Sequence, residues 1–177
     1  MENVNVIRRT EFIQKSLLGA AGILLPASVL GQQGQEKPAP IKLEIVKEFV
    51  TVAHGKMDRL KEMLENDFLL LHVSYDWGGG DFETAIEAAG HMGNKEIADY
   101  LLSKGARYNI YLAAMLGHLD IVKQVLTMNS QLLNSKGPHG FTLLHHAKKG
   151  GESSVVVVDY LQGLGAKETN VGFYNKG

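Results

Sequence analysis

The 177-residue chain has no cysteine. That excludes disulfides, thiolate metal sites, a cysteine nucleophile and lipid anchoring through an N-terminal cysteine; it says nothing about compartment. An excess of charge of either sign is also missing. With 18 Lys and Arg against 19 Asp and Glu the net charge is −1, and no basic stripe exists to neutralise phosphates, so no nucleic-acid partner is expected. The apolar run over residues 17–30 falls short of the roughly 20 residues of a membrane span. Signature motifs of chemistry are absent too: G-x-S-x-G, G-x-x-x-x-G-K-[ST] and H-E-x-x-H do not occur. Catalytic residues are therefore expected to be none, and no cofactor is implied.

What is present is helical periodicity in pairs. In YLAAMLGHLDIVKQVL (residues 111–126) Leu112, Ala113 and Leu116 share one face, and Ile121, Val122, Val125 and Leu126 share another. Gly117 separates the two, where a chain reversal needs a residue tolerant of positive φ. Two such short helices cannot bury both faces alone, and similar units flank them. ADYLLSKGA (98–106) and VDYLQGLGA (158–166) match at Asp, Tyr, Leu, Gly and Ala with an offset of 60 residues. A weaker copy, FVTVAHGKMDRLKEMLE, runs over 49–65. Repetition of a helix–turn–helix unit points to a solenoid.

These units resemble the ankyrin repeat. Its T-P-L-H-x-A pattern stands nearly whole in Thr142-Leu143-Leu144-His145-His146-Ala147 and degraded in Thr84-Ala85-Ile86-Glu87-Ala88-Ala89. The resemblance spans residues 43–167. It implies an all-α fold: an ankyrin-repeat solenoid of about four helix–turn–helix units with two finger loops, and a function in binding an as yet unidentified protein partner without catalysis. His145 falls where the family's ring bonds neighbouring backbone. Fingers are expected over 74–82, where a Trp77-Gly78-Gly79-Gly80-Asp81 turn lies, and over 134–141, where Gly137-Pro138 and His139-Gly140 are turn dipeptides. The chain around the glycine run has no Lys or Arg between Lys61 and Lys95, so an anion cradle is disfavoured against a finger tip. Trp77 serves either as a contact hot spot or as core tucked into the groove.

Between Gly93 and Gly117 the chain allows 24 residues, against about 33 for an ankyrin period. No finger fits there, and the groove floor is expected to be open, exposing Tyr108, Tyr111 or Met115. Asp76, Trp77, Asp81, Phe82, Tyr111, Met115, His139 and Phe141 are the expected partner-binding residues. An alternative is a small-molecule-binding or enzymatic protein using the same cleft, with His139, Asp76 and Asp81 as its polar groups. Seven histidines raise the question of a metal, but none are spaced at i and i+4. His54, His91 and His118 each sit near an inter-helix turn, and the repeat spacing is expected to hold them too far apart for one ion. No metal is expected.

Residues 1–31 carry Arg8-Arg9 and Lys15 ahead of the apolar run and read as an export signal. The route is twin-arginine or general secretory, because Thr10 and Glu11 both intervene before Phe12. The alternative is a buried helix of the mature fold. Residues 32–41 read as a flexible linker, 42–167 as the repeat domain and 168–177 as a C-terminal tail, with Phe173 and Tyr174 folding over the last helix. A periplasmic monomer is expected. Four successive β-branched residues over 155–158 are poor helix formers, so that helix should depend on burial.

Overall fold

The computed structural model describes residues 38–174, which fall almost entirely in one unit that begins at Pro40. The residues read as an export signal, and most of those read as a linker, lie outside the described residues.

The described chain is mostly helical, with eight α-helices arranged as four consecutive pairs: α1 (Leu43–Val52) with α2 (Met57–Asn66), α3 (Ala85–Met92) with α4 (Lys95–Ser103), α5 (Ile110–Leu116) with α6 (Leu119–Met128), and α7 (Leu143–Lys149) with α8 (Val155–Gly163). A hairpin of β1 (Ser74–Asp76) and β2 (Phe82–Thr84) stands between the first and second pairs, with Tyr75 opposite Glu83. Among the described residues, no helix is long and apolar enough to cross a membrane.

The first member of each pair packs on the first member of the next: α1 on α3, α3 on α5, α5 on α7. Burial follows from that position. In α3, Ala85, Ile86, Ala88, Ala89, Gly90 and His91 are all buried, and in α5 every residue from Leu112 to Leu116 is. The preponderance of small side chains lets helices on several sides come close. The second members bury a single stripe each, as amphipathic surface helices do: Ile97, Ala98 and Leu101 in α4, Val122 and Leu126 in α6, Val157 and Leu161 in α8. The valine run is helical, and Val157 is its one fully buried member; Val155 and Val156 are exposed.

Local signals fix the helix ends. The Glu87 carboxylate accepts from the Thr84 N–H at 2.9 Å and the Thr84 hydroxyl at 2.7 Å, which starts α3. Asn109 caps α5 through the Leu112 N–H at 2.9 Å and reaches Glu87 at 3.2 Å, so adjacent helix starts are tied together. Gly93 and Gly117 end α3 and α5 in the left-handed conformation, at φ 73° and 80°.

The short connection between the second and third pairs has the opposite effect from the open floor expected of it. With no finger between α4 and α5, α7 packs directly on α3 as well as on α5. The Gly93 turn meets the carbonyl of Lys149 so closely that a Cβ there would overlap it, and the His145 ring bonds the His91 carbonyl at 2.9 Å. Met115 is consequently 1% exposed, in the core, and is not a floor residue. Tyr111 is half-buried; its hydroxyl meets Ser135 Oγ at 2.7 Å, and burial holds the phenol above its ordinary pKa. Tyr108, the third residue expected on the floor, is exposed and pairs with His118.

Candidate functional site: a histidine–carboxylate cluster between the fingers

The hairpin alternates as a strand must. Phe82 points outward, 58% exposed, and Glu83 points inward, fully buried. A buried carboxylate is costly unless its oxygens are partnered, and Glu83 is heavily partnered. Trp77 Nε1–H donates to Oε2 at 2.8 Å. His91 Nε2 lies 2.7 Å from Oε1. His139 Nε2 and His54 Nε2 approach Oε2 at 3.4 and 3.7 Å.

Each partner comes from a different part of the fold. His54 follows α1, with Nδ1 at 3.1 Å from the carbonyls of both Val50 and Thr51. His91 sits near the end of α3, its ring stacked on Phe141 at 5.1 Å. His139 belongs to the second finger and has φ 58°, the one positive value among non-glycine residues of the described chain. Both its main-chain N–H and its Nδ1 bond the Asp81 carboxylate, at 2.8 and 2.9 Å. A side chain in that sparsely populated region persists only where its surroundings hold it, and the two bonds to Asp81 do so.

The fingers therefore close on one another. Trp77 and His139 rings lie 5.8 Å apart in an edge contact. Trp77 is half-buried, packed against the core of the first helix pairs as well as bonded to Glu83. Asp76 accepts from the Gly78 and Gly80 N–H groups at 2.8 and 3.1 Å, a turn-capping task. Gly78, Gly79 and Gly80 all have positive φ, which is why the finger tip is a glycine run.

The tail also joins the fingers. Thr142 bonds the carbonyls of Glu168 and Thr169, Asn170 Nδ2 bonds the His139 carbonyl at 3.0 Å, and the Tyr174 hydroxyl bonds the Gly78 carbonyl at 2.7 Å. The expectation that Phe173 and Tyr174 cover the last helix is corrected: Tyr174 lies against Gly79 of the first finger, because the strap over Gly140 leads it there.

The structure thus brings together Trp77, Asp81, His139 and Phe141 of the expected residues. Asp76 and Phe82 stay on the outer surface, and Tyr111 and Met115 lie apart. His54 and His91, expected to be too distant for one ion, have ring centroids 4.9 Å apart; His118 stands elsewhere, with Tyr108. Glu83, His54 and His91 are the residues sequence reasoning missed. Two signals existed: the like placement of His54 and His91 ahead of successive inter-helix turns, and an acid at the inward phase of the strand preceding the Thr84 cap.

No protein-family model matches the chain, and no curated protein sequence matches it significantly.

Proposed function

We propose that this chain is an ankyrin-like solenoid, exported to the periplasm, that binds a partner polypeptide through its finger rim and carries out no reaction of its own. The observation that carries this reading is Phe82: a large aromatic, 58% exposed, on a hairpin whose opposite face is pinned through Glu83. An aromatic held rigid on the surface offers much contact area at little entropic cost. Four helix pairs in register, with a hairpin between the first two, support the ankyrin-like part of the reading. Asp76 lies beside Phe82 on the same rim and supplies a charge for register. Met115 plays no part, and Asp81 and His139 act by fixing the rim.

The test is affinity purification of the mature domain from its native envelope fraction, wild type against Phe82→Asp. Unchanged thermal stability with loss of the recovered partner supports the reading; equal recovery by both forms sinks it.

A small-molecule site in the same cleft is the second reading, and the convergence of Asp81 and His139 at 2.9 Å favours it. A compound panel that shifts the melting temperature by several degrees for one metabolite would promote it, since a ligand of the native state raises stability.

A further inference from the structure

We propose that His54, Glu83, His91 and His139 form a binding site for one divalent first-row transition ion, Zn2+ being the ion this donor set suits. Their ligand atoms all lie within 4.8 Å of one another. Tetrahedral Zn2+ with bonds of about 2.0–2.1 Å sets its donors roughly 3.3 Å apart. His91 Nε2 stands 2.7 Å from Glu83 Oε1, and His139 and His54 Nε2 stand 3.4 and 3.7 Å from Oε2, distances that bracket that value. Three imidazoles and one carboxylate, without thiolate or a shell of oxygens, favour zinc and its neighbours over calcium or magnesium.

The surroundings supply a second, independent line. A carbonyl can only accept, so His54 Nδ1, facing two carbonyls, carries a hydrogen, and the lone pair of the neutral ring falls on Nε2. His139 is set the same way by Asp81, a carboxylate–histidine arrangement of the kind that orients metal-binding rings. Both Nε2 atoms then face the Glu83 carboxylate. Lone pairs set against a carboxylate need positive charge between them, and a metal ion supplies it for both rings at once. Trp77 meanwhile fixes the carboxylate through Oε2 and leaves Oε1 toward His91. Glu83 and His91 are buried, whereas the side chains of His54 and His139 are 28% and 30% exposed, so an ion has an approach from one side. The donors come from four separate segments, and the ion would clasp both fingers to α1 and α3.

The test is titration of the chelator-treated full chain with Zn2+ alone, by calorimetry with melting temperature as a second readout. Expected are one equivalent bound, a rise in melting temperature, and affinity at least about tenfold weaker in His54→Ala and in His139→Ala; both residues are part-exposed, so these variants should fold. His118→Ala, an exposed histidine outside the cluster, should bind as wild type does. Absence of saturable binding overturns the proposal and leaves the cluster as a hydrogen-bonded structural pin. So does binding equally strong in both cluster variants, which would mark adventitious capture by surface histidines. The finger-rim reading survives either failure, since its test requires no metal.

Discussion

His146 has its Nδ1 on the Thr142 carbonyl at 2.8 Å and its Nε2 buried without a partner. Burial pushes its pKa down to about 4. Between that value and the ordinary 6.5, the unfolded chain holds a proton that the folded chain refuses, so stability rises with pH across this window. It is complete above pH 6.5 and diminishes as pH falls toward 4, by at most about 3 kcal/mol. His146→Leu should flatten this part of the stability profile, as measured by urea unfolding at stepped pH. At Trp77 a different loss is expected. Trp77→Phe removes one donor from a buried carboxylate, and should destabilise the chain by about 1–3 kcal/mol in the same assay.

At the scale of elements, two glycines that look alike in sequence should behave in opposite ways. Gly150 has an ordinary helical backbone, but a Cβ there would overlap the carbonyl of Met115. Gly163 ends α8 with nothing near such an atom. Gly150→Ala should therefore cost about 3 kcal/mol, while Gly163→Ala should gain about 0.5–1 kcal/mol. Val156, exposed on α8, gives a milder case: Val156→Ala should stabilise by about 0.5 kcal/mol through helix propensity. Melting curves of the three variants check all of this.

Much at this scale was legible in the residues. The eight helices follow from apolar spacing in four helix–turn–helix units, with Gly117 marking the reversal in the third, and the hairpin from the glycine run flanked by Asp76 and Asp81. The missing third finger was legible too, yet its consequence was not. Spacing says that α4 and α5 are joined briefly, but it does not say whether α7 stays away or moves onto α3. That choice depends on the small side chains of α3 and on Gly93 admitting the Lys149 carbonyl. The cluster around Glu83 depends on it in turn. His139 reaches Glu83 only once the second finger lies against the first, and its positive φ could not be read from the sequence because non-glycine residues seldom adopt it.

For the molecule as a whole, each helix pair is thin and gains its core from its neighbours. Direct contact between α3 and α7 adds a tie that skips one pair, and the Glu83 cluster and the C-terminal strap add two more. One cooperative transition is expected, with far-ultraviolet dichroism reporting all helices and Trp77 fluorescence reporting the fingers at the same midpoint. Separate midpoints would mean that the fingers open before the helices melt.

The closed state of the fingers is the feature on which the rim, the cluster and the strap all depend, and a double-mutant cycle across Asp81 and His139 measures it most directly. Asp81→Ala, His139→Ala and the double variant would be unfolded in urea alongside wild type. The predicted coupling is about 1–3 kcal/mol; additive effects, with a coupling near zero, would contradict the closed arrangement.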